Sequence, residues 1–176
     1  LNKPTKIEGR VWVIKDGKQG IDNIDTDMIY HNKHLAITHP DEMKNYIFGN
    51  LDGWQDFPEK AEDGDILIVG ENFGAGSSRQ QAVDGIVALG IRAIIGESFG
   101  AIYWRNAVNA ALPILRAPGI MASEIESGNR IEVDFTNGRT NNISTGCEID
   151  NVQPMNKIQL DIYRAGGLFN YSKTYF

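Results

Sequence analysis

Residues 65–83 read DILIVGENFGAGSSRQQAV, and the order of the parts decides the fold. Asp65 opens a short unbroken apolar run, Ile66 to Val69, as in a strand buried on both faces. Glycines at 70, 74 and 76 break the run, and Ser77, Ser78 and Arg79 follow. Then Ala82, Val83, Ile86, Val87 and Leu89 recur at helical spacing and stop at Gly90. Arg92 to Ile95 forms a second apolar strand. Phe99 to Leu112 is a second helix, with Ile102, Tyr103, Val108 and Ala111 inward, and Pro113 to Leu115 starts a third strand. This is β-α-β-α-β, a parallel unit with right-handed crossovers.

Outward from this centre the pattern changes. Upstream, IEGRVWVI at 7–14 alternates as a strand does, a turn-rich stretch follows, and PDEMKNYIFGN at 40–50 reads as a short helix opened by Pro40. Downstream, residues 130–152 read as strands with a hairpin turn at Asn137-Gly138, and a last helix near 154–165 ends at Gly166-Gly167. The expectation is a single α/β domain over residues 1–176. It has three layers, β/β/α: a parallel β-α-β-α-β core with an additional mixed or antiparallel β layer.

Composition limits the function classes. The chain is 41% hydrophobic and 23% charged, as globular proteins are, with a formal net charge of -6. That balance argues against a broad nucleic-acid surface and against a polybasic membrane anchor. The single cysteine, Cys147, forms no internal disulfide and cannot by itself hold an iron–sulfur cluster, which takes several thiolates. No leader or apolar run of about 20 residues is read in the chain. A cytoplasmic protein is the expectation.

The loop between the first central strand and helix has the chemistry of an anion cradle. The first amides of a helix lack partners and its dipole is positive there. Gly74 and Gly76 let the backbone curl, Ser77 and Ser78 add hydroxyls, and Arg79 adds a planar fork matching a carboxylate. The Lys-Ser/Thr ending of a Walker A loop is missing, and Arg79 stands where a Rossmann fingerprint has its third glycine. A serine that merely caps the helix is the plainer reading, but capping needs one hydroxyl and no guanidinium. A serine acts as a base only with help, from N–H donors and a cation that stabilise its alkoxide.

GENFGAGSSRQQAV at 70–83 resembles the Gly-x-Gly-Ser-Ser-Arg loop of the aconitase superfamily. IDNIDTDMI at 21–29, GIRAIIGESFGAIYWRNAVNAALPIL at 90–115 and AGGLFNY at 165–171 extend the likeness over roughly residues 7–172. Together they resemble the separate small subunits of 3-isopropylmalate dehydratase and homoaconitase, counterparts of aconitase's swivelling domain. The resemblance implies a reversible dehydration and rehydration that isomerises a hydroxy di- or tricarboxylate. It implies a large partner subunit, in a heterodimer or heterotetramer, that holds a [4Fe-4S] cluster whose open iron acts as Lewis acid on the leaving hydroxyl. No cofactor is then bound by this chain. Carried onto this sequence, Ser77 is the alkoxide base that takes and returns the carbon-bound proton. Ser78 and Arg79 bind a substrate carboxylate, and Gly74 and Gly76 shape the loop.

Two departures from the family pattern matter. Ala75 stands where such small subunits often have cysteine between the glycines. The segment YHNKHLAIT at 30–38 resembles the substrate-choice loop, which commonly reads Arg-Tyr-Leu-Arg-Thr in isopropylmalate enzymes; here the second arginine is absent and the loop is one residue longer. Leu35 offers apolar contact to an alkyl group, and Lys33 or His34 can meet a carboxylate. 3-Isopropylmalate in leucine biosynthesis is the leading substrate, with homoaconitate and a methylated malate left open.

The remaining candidates have plainer readings. His31, His34 and His39 fall at irregular spacing, which suits a solvated or substrate-facing loop better than a metal face. Asp22, Asp25 and Asp27 lack the glycine and terminal Glu of a calcium loop and are expected to cap turns. Arg105 and Asn106 line either a cleft or a subunit interface, or form a solvated helix face. Trp12, Trp54 and Trp104 are packing or interface anchors, and Cys147 is a small hydrophobe. Lys18 stands just before IDNID, where aconitase has a substrate arginine, a loose match. Two rival functions use the same residues: a non-catalytic carboxylate-binding module, and a structural subunit whose serines are caps.

Overall fold

The structure is a computed structural model that describes residues 3–175. In chain order its strands are β1 (Lys6–Val13), β2 (Lys15–Asp16), β3 (Gln19–Gly20), β4 (Ile66–Val69), β5 (Ala93–Gly96), β6 (Ile114–Arg116), β7 (Arg130–Asp134), β8 (Thr140–Asn142) and β9 (Cys147–Ile149). The helices are α1 (Thr26–Ile29), α2 (Pro40–Met43), α3 (Phe57–Lys60), α4 (Gln81–Ala88), α5 (Ala101–Asn109), α6 (Lys157–Ala165) and α7 (Leu168–Tyr175).

Every residue of β4 and β5 is buried, as their unbroken apolar runs require. They pair in parallel with each other, with β6 on one side and with β1 on the other. β1 divides its ladder: Val11–Val13 runs parallel to β4, while Lys6–Arg10 runs antiparallel to β7. The antiparallel strands thereby continue the parallel ones in a seven-stranded order, β6-β5-β4-β1-β7-β8-β9.

Strand side chains alternate between faces, and the two faces build two cores. Leu67, Val69, Ile94 and Ile114 pack with Ala82, Val83, Ile86, Tyr103 and Ala107 from the helices. Ile66, Ile68, Ala93, Ile95 and Leu115, with Val11 and Val13 of β1, pack with Ile131, Val133 and Phe135 from the antiparallel half. Helices, parallel strands and antiparallel strands form the expected three layers. Gly90 ends α4 at φ +86, where a Cβ would lie 2.7 Å from Asp63 Cα.

Several local expectations change. On α5, Ile102 is exposed and Ala107 is buried, so the inward stripe runs through Tyr103 and Ala107. Cys147 is exposed on β9 rather than packed. α6 begins at Lys157 because Asn156 and Gln159 form a reciprocal capping box, and Gly166 closes it at φ +81. α7 follows directly, where the sequence had shown only a motif. Trp12 packs edge-on against Trp54 and Phe57, as an anchor should. Among the described residues no helix is long and apolar enough to cross a membrane.

Candidate active site

The loop after β4 is held from two sides. Against segment 22–26, Asn23 N donates to Glu71 O (2.8 Å), Gly74 N to Ile24 O (2.7 Å) and Thr26 N to Ala75 O (2.9 Å). Against segment 98–100, Phe73 N donates to Ser98 O (3.1 Å) and Gly100 N to Phe73 O (2.9 Å). Gly74 has φ +76, and a Cβ on it would collide with the Tyr103 ring. Gly76 has φ +95 with no atom nearer than 3.7 Å to its would-be Cβ, so its glycine serves conformation, not space.

The serines stand ahead of the helix rather than on it. α4 takes Gln80 as its N-cap, with no side-chain capping bond. Its first turn closes through Val83 N and Asp84 N to Gln80 O. That corrects the picture of a cradle seated at the helix start, and it removes capping as the reason for Ser77 and Ser78. Ser77 is exposed; its carbonyl accepts from Thr26 Oγ1 at 3.1 Å, and its hydroxyl makes no bond among the described residues. Ser78 Oγ accepts from Asn106 Nδ2 at 3.3 Å.

Arg79 is anchored by one corner. Its Nη1 donates to Asp27 Oδ1 (2.8 Å) and to Tyr30 O (2.7 Å), and its side chain is 11% exposed. Nε and Nη2 make no bond among the described residues, yet no buried side-chain nitrogen or oxygen lacks a partner there. The free edge of the guanidinium therefore reaches solvent. Burial pushes the Asp27 carboxyl up, but the Asn32 N–H, Arg79 and His31 outweigh it and hold the group below the usual carboxylate range.

Asp27 also ties in the neighbouring loop, through Asn32 N to Asp27 Oδ1 at 2.9 Å. There a turn at Asn32–His34 is capped by His31 Nδ1, and Tyr30 Oη donates to His34 O at 2.9 Å. The His34 ring stacks on Tyr46, centroids 3.9 Å apart. Burial, then Lys33 and His31, depress the His34 pKa. Lys33 and Leu35 are exposed.

The geometry thus gathers Gly74, Gly76, Ser77, Ser78 and Arg79 in one loop and places Lys33, His34 and Leu35 on a second loop joined to it through Asp27 and Tyr30. Lys18 lies apart, in the β2–β3 turn. Asp25 does cap a turn, taking Met28 N at the start of α1, whereas Asp22 takes Glu71 N, 49 residues on, and ties its segment to the loop after β4. Sequence reasoning missed that Asp27 also pairs with Arg79, and missed Tyr103 beneath Gly74. Their 52- and 29-residue separations from the loop partners leave no periodic signal, although IDTD preceding an apolar residue hinted at a fixed turn.

Ser77, Ser78 and Arg79 line none of five surface hollows of about 110 to 550 Å³. An iron–sulfur cluster does not fit the chain's residues: Cys147 is alone and exposed, and no group of three or more His, Cys, Asp or Glu among the described residues could hold a metal.

Residues 17–118 match the Aconitase C-terminal domain family, which places the loop in the aconitase class. Over 167 residues the chain is 39% identical to the isopropylmalate/citramalate isomerase small subunit of Methanocaldococcus jannaschii, covering 95% of this chain and 94% of that one. It is 40% identical over 169 residues to the 3-isopropylmalate dehydratase small subunit of Pyrobaculum aerophilum, covering 96% and 98%. The crystal structure of a 3-isopropylmalate dehydratase from M. jannaschii superposes with TM-score 0.84 at 34% identity, over 96% of this chain and 94% of that one. The chain belongs to the 3-isopropylmalate dehydratase small-subunit family.

Proposed function

We propose that this chain is the proton-transferring half of a two-subunit hydro-lyase that isomerises 3-isopropylmalate in leucine biosynthesis. The observation that carries the reading is the pairing at the loop: an exposed, unbonded Ser77 hydroxyl two residues from a guanidinium anchored at one nitrogen and open at its other edge. Arg79 and Ser78 would take a substrate carboxylate, setting the adjacent C–H against Ser77. The Ser77 alkoxide takes that proton, and the electron pair left on carbon forms the alkene as hydroxide departs from the neighbouring carbon. On rehydration the same hydroxyl returns its proton. Fixed donors around the developing negative charge stabilise it.

Ser77 and Ser78 are exposed, which suits closure by a large subunit, and the relatives' names as small subunits support that partner. The [4Fe-4S] cluster implied by the family likeness belongs with that subunit, since the described residues of this chain offer no ligand set for it. A cytoplasmic location accords with a biosynthetic role.

A second substrate reading has its own support. The 30–38 loop lacks the second arginine of the family pattern, and one relative is named for citramalate as well as isopropylmalate. A methylated malate is the alternative substrate.

Reconstitution tests the reading. The chain alone is expected to turn over neither acid; adding a cluster-loaded large subunit is expected to give turnover, and Ser77→Ala to lower kcat by about 10² or more with little change in KM. Turnover by the lone chain, or near-normal kcat in Ser77→Ala, refutes it.

A further inference from the structure

A hydroxyl carries one hydrogen, so what Ser78 accepts governs what it can give. Its oxygen accepts from the Asn106 amide at 3.3 Å and makes no other side-chain bond among the described residues. No helix cap consumes it either, because α4 has no side-chain capping bond. The hydroxyl hydrogen is left for a group outside the chain.

Asn106 is placed firmly enough to enforce this. α5 is pinned to the loop at its start by Gly100 N to Phe73 O at 2.9 Å. One turn on, Tyr103 is 1% exposed, lies under Gly74, and donates from Oη to Ala82 O on α4 at 3.3 Å. Asn106 follows Tyr103 by three residues, on the neighbouring part of the same helix face. The loop, α4 and α5 therefore hold the amide in register with Ser78.

We propose that Asn106 is a positioning residue that fixes the polarity of Ser78, keeping its O–H turned outward as a donor to a substrate carboxylate. The inference rests on the dehydratase reading above and assigns within it a role to a residue that the loop motif does not contain. A carboxylate at position 106 reverses the arrangement: it accepts the Ser78 hydrogen and adds a negative charge facing the substrate's own.

The test is steady-state kinetics of the assembled enzyme with 3-isopropylmalate, for Asn106→Asp and Asn106→Ala, each with and without Ser78→Ala. Asn106→Asp is expected to raise KM at least about tenfold and Asn106→Ala about threefold, with kcat within threefold and unchanged Tm. In the Ser78→Ala background the Asn106→Ala effect is expected to vanish. A merely structural Asn106 would make the two substitutions alike, and that result, or additivity with Ser78→Ala, overturns the proposal. Should Asn106→Asp not assemble, the alanine cycle decides alone: coupling supports the proposal and additivity overturns it. Near-normal kcat in a parallel Ser77→Ala enzyme marks failure of the dehydratase reading itself; a Ser77-dependent enzyme indifferent to Asn106 marks failure of this inference only.

Discussion

Asp27 Oδ1 accepts from Arg79 Nη1 at 2.8 Å and from Asn32 N at 2.9 Å, so one oxygen holds both the cation beside the serines and the start of the 32–34 turn. Asp27→Ala releases both. KM is expected to rise on the order of tenfold, because a charge-assisted bond that orients the carboxylate binder is lost. Asp27→Asn keeps an acceptor and should fall between. The folded pKa of Asp27 lies below its unfolded value. Its contribution is therefore fully present above about pH 4 and is lost only as pH falls through the lower folded value. A KM profile from pH 5 to 8 should show no step from this pair; a step that vanishes in Asp27→Asn would contradict the arrangement.

Gly74 is needed twice over, for φ +76 and for the space the Tyr103 ring fills. Gly74→Ala adds backbone strain and a clash with a ring that has nowhere to move, since Tyr103 is 1% exposed. The expected loss is at least about 2 kcal/mol by urea denaturation. Gly76→Ala has the strain without the clash and should lose less. Equal losses would mean that the ring, not the backbone, gives way.

The central strands and helices were legible because burial on both faces writes an unbroken apolar run, and a helix against a sheet writes its own period. The hairpin at Asn137-Gly138 was legible through its glycine, since Gly138 takes φ +77, while Asn137 needs no left-handed conformation. The way β1 joins the two sheet halves was not, since parallel and antiparallel pairing draw on the same alternating pattern along one strand. Ile102 misled because an apolar residue near a helix start satisfies the helical period as well as Ala107 does. At the site, the glycine-serine-arginine run was plain, but the direction of Arg79 depends on Asp27, 52 residues away. No local rule encodes such a pair.

Asp65 is a structural counterpart to Asp27, nearly sealed off. It accepts from Arg10 Nη2 (2.7 Å), Arg10 Nε (3.1 Å), Trp12 Nε1 (2.7 Å) and Glu62 N (2.9 Å), at 3% exposure. Burial raises its pKa, and these donors together lower it further than burial lifts it. Asp65→Ala leaves Trp12 Nε1 unpaired and Arg10 with only Glu62 and the Lys60 carbonyl, and should cost roughly 2 kcal/mol. In the wild type this stability is present above the unfolded carboxylate value of roughly 4 and is lost as pH falls through the depressed folded value. Urea midpoints should therefore drop steeply below pH 4 in wild type and less steeply in Asp65→Ala. Parallel curves would place the acid sensitivity elsewhere.

His34 offers a readout of the second loop. Its ring stacks on Tyr46 at 3.9 Å, and burial first, then the charges of Lys33 and His31, disfavour its protonated form. The native ring should titrate below the ordinary value of about 6.5. The sign follows: the unfolded chain takes up the proton first, so the loop's stability is full above roughly pH 6.5 and declines as pH falls toward the native value. Tyr46→Ala uncovers one face of the ring and should move its NMR titration midpoint upward, toward 6.5. Lys33→Ala should shift the midpoint the same way by removing a like charge. If His34 titrates at 6.5 in the wild type and does not respond to Tyr46→Ala, the stack does not hold the loop in solution, and His34 is then as free as Lys33 to meet a ligand.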